Sequence, residues 1–178
     1  MFDALFTTTT EYKKLSHALS GKGACALFGL PASGRAQVYA ALCRQLDKPL
    51  CIVTPGEAEA TRFAADLNTL GIPAAVFPAR DYVLRPIEGT AREYEYRRLA
   101  VLGELVGGRL RAVAVPAEAL TQFTTPKEDF CANTRTLHAG DTLLRDDLLA
   151  ALFGAGYTRR AQVDGPGQFS VRGDIVDI

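Results

Sequence analysis

The chain of 178 residues contains no tryptophan, one methionine and two histidines, and its 20 basic residues are balanced by 20 acidic ones. Each scarcity excludes something. Without a net charge there is no global field to draw the protein onto nucleic acid. His17 and His138 are far apart in sequence, and the four cysteines, Cys25, Cys43, Cys51 and Cys131, stand singly rather than in the close pairs that a structural zinc site needs. The cysteines read as buried free thiols of a reducing compartment, and no metal site is expected. No apolar run approaches 18 residues and no basic segment leads to a cleavage site, so the expectation is a soluble cytoplasmic protein with no membrane contact. The serines lack the setting of a nucleophile elbow, and no pair of carboxylates has a basic or metal partner nearby. No catalytic residue is assigned.

What is present is an alternation of short apolar runs and helical periodicity. The spacing predicts a helix over Glu11–Leu19, capped by one of the preceding threonines, with Tyr12, Leu15, Ala18 and Leu19 on its packing side. His17 lies off the centre of that side. Ala24–Phe28 reads as a buried strand, Gly29–Gly34 as a tight turn and Gln37–Leu46 as a helix. Strands at Leu50–Val53, Ala74–Phe77 and Arg111–Val115 then alternate with helices at Glu57–Leu70 and Thr90–Val106, and a short helix starts near Pro116. Such alternation predicts an α/β fold with a parallel sheet and right-handed crossovers. The Pro78–Gly89 loop falls at the carboxyl end of that sheet, where ligands and partners bind in such folds. The mixed charges of Thr90–Val106, Arg97 and Arg98 among them, read as a solvated face.

Composition shifts at Thr121–Asp129, which places a domain boundary near 123/124. Beyond it, Thr134–Leu137 reads as extended, Leu143–Phe153 as a helix capped from Gly140-Asp141, and Tyr157–Val163 with Gln168–Val171 as hairpin strands about Asp164–Gly167. A further strand opens at Asp174. This is α+β in character. Because Ile178 falls within a strand pattern, the natural polypeptide is expected to continue and the second domain to be incomplete.

Two groups of residues are candidates for function. The first is the loop at Gly29, Ser33, Gly34, Arg35 and Ala36, which has the glycine spacing of a phosphate-binding loop, G-x-x-x-x-G-K-[ST]. Arg35 stands where lysine would reach the phosphates and Ala36 where a hydroxyl would ligate magnesium, so the frame is degenerate and no ATP or other cofactor is expected. Its backbone amides could still accept an anion. The second is a set of arginines on the last strands, Arg159, Arg160 and Arg172, with Phe169 nearby. It reads either as a solubilising face or as a patch that meets carboxylates of a protein partner.

Phe28-Gly-Leu-Pro-Ala-Ser-Gly-Arg-Ala36 and Pro166-Gly-Gln-Phe-Ser-Val-Arg-Gly-Asp-Ile-Val-Asp-Ile178 together resemble the amino-terminal, UvrB-homologous module of the bacterial transcription-repair coupling factors, the Mfd family. Pro78–Pro86, Arg92–Ala100 and Ala139–Tyr157 fit the same family in the same order, so the resemblance covers essentially the whole chain. UvrB itself carries an intact phosphate loop and an inserted DNA-handling hairpin; the eroded Arg35 and Ala36 and the short span between Phe77 and Thr90 are closer to the coupling factors. The resemblance implies a RecA-like α/β domain over 1–123, similar to UvrB domain 1a, and an incomplete small α+β domain over 124–178, similar to the UvrA-docking domain 2 of UvrB. It implies a non-catalytic module that recruits UvrA for nucleotide excision repair at stalled RNA polymerase, with Arg159 or Arg160, together with Arg172, as the contacting residues. RNA polymerase, DNA and ATP would be handled by other regions of the family protein, an ATP-dependent DNA translocase. The competing expectation is a nucleotide-binding or ATPase domain of a UvrB-like repair protein.

Overall fold

Ala112 and Ala114, two residues apart on one strand, lie fully buried in the principal sheet. A computed structural model describes residues 6–21, 23–46, 48–80 and 93–178, and its backbone divides into two compact units, one ending at Thr124 and one starting at Thr125. In the first unit the elements run α1 (Thr10–Ser20), α2 (Ala32–Gln45), β1 (Leu50–Thr54), α3 (Glu57–Thr69), β2 (Ala74–Val76), α4 (Glu93–Val106), β3 (Ala112–Pro116) and α5 (Ala117–Leu120). The three strands are parallel in the order β1-β3-β2, with Ile52 beside Ala114 and Ala74 beside Ala112. Side chains alternate across a strand. One face therefore presents Ile52, Ala74, Ala112 and Ala114 to α2 and α3, where Ala40, Ala60, Ala64, Phe63 and Leu67 complete a core. The other face presents Phe77, Val113 and Val115 to a second cluster that includes Val101 of α4.

The small alanine side chains on the first face let the helix backbones approach the sheet closely, and Asn68 fixes the return from α3 into β2. Its amide donates to the Ala74 carbonyl at 2.8 Å and accepts from the Ala74 N–H at 3.0 Å. The outer side of α2 carries α1. Tyr12 and Leu15 pack on Val38, Ala41 and Leu42, and the Thr9 hydroxyl caps α1 by accepting from the Tyr12 N–H.

The Ala24–Phe28 run is not a strand. It is exposed throughout, with Phe28 88% accessible, and it pairs with no described strand. Apolar composition makes a strand possible, but its backbone groups need a ladder, and β1 is bonded only to β3 among the described residues. The cysteines also differ from expectation, since only Cys43 is buried while Cys25, Cys51 and Cys131 are exposed. Burial pushes the Cys43 thiol up from its ordinary 9.0, against the opposing charge of Arg111, and its Sγ donates to the Arg111 carbonyl. Expected features at 81–92, including most of the Pro78–Gly89 loop, lie outside the described residues.

The second unit contains α6 (Lys127–Ala132), α7 (Arg145–Gly154), β4 (Thr158–Arg159), β5 (Gln168–Arg172) and β6 (Ile175–Asp177). Phe169 and Leu152 are its buried apolar residues, and Phe169 meets Phe153 edge-on at 5.0 Å between ring centroids. Two expectations need correction. The helix α7 has no side-chain cap, because it starts at Arg145 and its N-cap position holds Leu144, which has no acceptor, while Asp141 accepts from the His138 N–H instead. The segment 160–167 does not form a hairpin turn; β4 and β5 run parallel, and the hairpin is instead β5–β6. Arg172 faces Ile175 across a two-residue turn in which Gly173 has φ 61° and Asp174 a negative φ, the backbone pattern of a type II′ turn. The residues 134–138 take no regular structure.

Candidate partner-docking surface

At the degenerate phosphate loop, α2 starts at Ala32, five residues before the expected Gln37, so Ser33, Gly34, Arg35 and Ala36 all belong to the helix rather than to a turn. The Arg35 N–H already donates to the Pro31 carbonyl at 3.0 Å. Only Gly29 keeps the left-handed backbone, φ 82°, that a glycine loop uses. The side chains have been diverted. Arg35 lies along α3, with its guanidinium 3.6 Å from the Glu59 carboxylate and 5.8 Å from the centre of the Phe63 ring. Its Nε is shielded from solvent and has no hydrogen-bond partner among the described residues. Ala36 is 2% exposed and forms part of the first core. The position that would ligate magnesium is thus occupied by a packed methyl group. A hydrolytic site also needs an acid at a strand end, whereas β3 leaves the sheet through Val115 and Pro116.

The arginines of the second unit have the opposite character. Arg159, Arg160 and Arg172 are all exposed. Arg159 is in register with Phe169, and the Arg160 N–H donates to the Phe169 carbonyl at 2.8 Å, which extends the ladder by one residue and sets Arg160 beside Ser170. From strand rise and spacing, Arg160 and Arg172 stand about 8 Å apart at Cα. None of the three guanidinium groups has an ion pair or side-chain hydrogen bond among the described residues. Other arginines do: Arg109 is held by Glu104, and Arg111 by the carbonyls of Cys43 and Leu46. Exposed Ile175 lies directly opposite Arg172 on β6, so an apolar group accompanies the charge. Phe169 does not belong to the surface. It is 0% exposed, and its ring holds β5 against α7 instead of facing outward.

This arrangement falls within the segment that matches a known family. Residues 136–178 match the family described as "UvrB interaction domain". The chain is also 29% identical over 154 residues to a transcription-repair-coupling factor of Bacillus subtilis (strain 168), a match that covers 85% of the chain and 13% of that protein. It is 26% identical over 152 residues to the transcription-repair-coupling factor of Staphylococcus aureus (strain USA300), covering 84% and 13% respectively. The chain therefore spans a small part of the length of these relatives.

Among the described residues no group of three or more histidine, cysteine or acidic side chains could hold a metal ion, and no helix is long and apolar enough to cross a membrane. Arg98 is the residue that sequence reasoning placed wrongly. Taken for part of a solvated face, it is 8% exposed, with its guanidinium 4.1 Å from the centre of the Phe77 ring. No local signal marked it, because Arg97 and Arg98 are adjacent in the same charged run.

Proposed function

We propose that this chain is a protein-docking module of a transcription-repair coupling factor, and that Arg172, together with Arg159 or Arg160, engages carboxylates of UvrA to bring in nucleotide excision repair. The single observation that carries this reading is the set of exposed guanidinium groups on β4, just after it and on β5, without partners among the described residues and inside the segment that matches the UvrB interaction domain. A rigid strand holds each arginine at a fixed separation, and a guanidinium offers a forked donor that suits a carboxylate. In this reading the first unit is a RecA-like domain that has lost its nucleotide site, and RNA polymerase and DNA are engaged by other parts of the longer protein. Capture of the chain on immobilised UvrA provides the test. Charge reversal Arg172→Glu is expected to weaken capture by about tenfold or more without moving the melting temperature, because the side chain is exposed. Undiminished capture would sink the patch. Single reversals at Arg159 and Arg160 then show which of the two shares the contact.

The competing reading, a nucleotide-binding or ATPase domain, is disfavoured by the packed Ala36 and the diverted Arg35. Titration calorimetry with magnesium-ATP is expected to show no saturable heat.

A further inference from the structure

The second unit, described throughout, has an open groove of about 320 Å³ along one side of α7. Leu148, Ala151 and Leu152 of α7 and Ala155 just past its end follow the i, i+3, i+4, i+7 spacing of a single helix side, and all four line the groove. Large and small side chains alternate there, which leaves a notch over the two alanines. Ala132 at the end of α6 and Leu137, 46% exposed, add to the apolar lining. The polar groups are few. Arg135 is the only charged side chain among the lining residues; it is exposed, and its guanidinium has no ion pair or hydrogen bond among the described residues. The Tyr157 hydroxyl has no hydrogen-bond partner among them either. Asn133 is already engaged, its amide donating to the Asp129 carbonyl at 2.8 Å. Tyr157 directly precedes β4, so the groove adjoins the strand that carries Arg159.

We propose that this groove is a second contact for the partner that the arginines engage, and that it seats a bulky apolar side chain from an acidic segment whose carboxylate pairs with Arg135. The proposal rests on the docking reading above and adds to it the apolar half of the interface. Exposed charges mainly set the orientation and speed of an encounter, whereas most of the energy that keeps partners together comes from a few large side chains buried in pockets. The groove supplies such a pocket. Its cation has the same sign as Arg159, Arg160 and Arg172, so one acidic partner suits both places. Its volume, at the lower end of the range for ligand sites, fits side chains better than a cofactor.

Capture of the 178-residue chain on immobilised UvrA is measured for groove variants beside the wild type. Ala155→Leu fills the notch from an exposed position, and Arg135→Glu reverses the charge at an exposed one. Each is expected to weaken capture at least about fivefold while keeping a wild-type ¹⁵N spectrum, and Arg135→Lys, which keeps the charge, to retain most of it. The loss caused by Arg135→Glu is expected to shrink as salt is raised, and that caused by Ala155→Leu to persist. Wild-type capture that Ala155→Leu or Arg135→Glu leaves unchanged would overturn the groove contact and leave the arginine patch standing. Absence of wild-type capture would overturn both. Concentration-dependent self-association of the wild type that Ala155→Leu abolishes would place a second copy in the groove, which also overturns the proposal.

Discussion

Arg98 shows how much one residue's placement depends on the chain around it. Its Nη1 donates to the Pro78 carbonyl at 2.8 Å and to Gln122 Oε1 at 3.1 Å, and its Nη2 to Thr124 Oγ1 at 2.9 Å. The Gln122 amide in turn brackets the Arg80 backbone, accepting from its N–H and donating to its carbonyl. One guanidinium thus joins the exit of β2 to the segment that follows α5. Arg98→Met keeps the apolar stem and removes the donors, leaving buried acceptors without partners, and is expected to cost about 2–4 kcal/mol. The exposed neighbour Arg97→Met is expected to stay within about 0.5 kcal/mol. Urea denaturation of both variants checks the contrast. Sequence could not separate the two arginines, because adjacent positions on a helix differ only by its rotation over Phe77. The acceptors also come from residues 20 or more positions away in the chain.

At the scale of elements, β1, β2 and β3 and the helices α3 and α4 were legible, since an apolar run bounded by turn residues and an amphipathic repeat are local properties. Ala24–Phe28 was misread because a strand is completed by its neighbour, which composition does not record. The departure of Arg35 and Ala36 from the phosphate-loop pattern was legible; the places that the fold gives these two side chains were not. Ala36 lies on the buried side of α2, in one core cluster with Ala40, Ala60 and Phe63, so Ala36→Ser buries a hydroxyl there. The double variant Arg35→Lys/Ala36→Ser rebuilds the motif on paper. It is expected to lose about 1–3 kcal/mol through the buried hydroxyl and to gain no phosphate release over background, because β3 still ends without an acid. A fall in the urea midpoint with a flat phosphate assay is the expected pair of results; any magnesium-dependent turnover would contradict it.

At the scale of the whole chain, the two units differ in how much they bury. The first has three apolar clusters around a parallel sheet, whereas in the second Leu152 and Phe169 are the buried apolar side chains. A small domain has a low ratio of core to surface and correspondingly little stability to lose. Phe169, fully buried against Phe153, is therefore critical to the unit that carries the arginines. Phe169→Ala is expected to cost about 3–5 kcal/mol, comparable to the whole stability of so small a unit. Residue-resolved NMR should then show the signals of 125–178 collapsing toward unfolded positions while those through Thr124 keep their dispersion, and UvrA capture should disappear although no guanidinium has been changed. Uniform loss of dispersion along the chain would mean that the units unfold together, and unchanged spectra would mean that the strands carrying the arginines do not depend on the Phe169 ring.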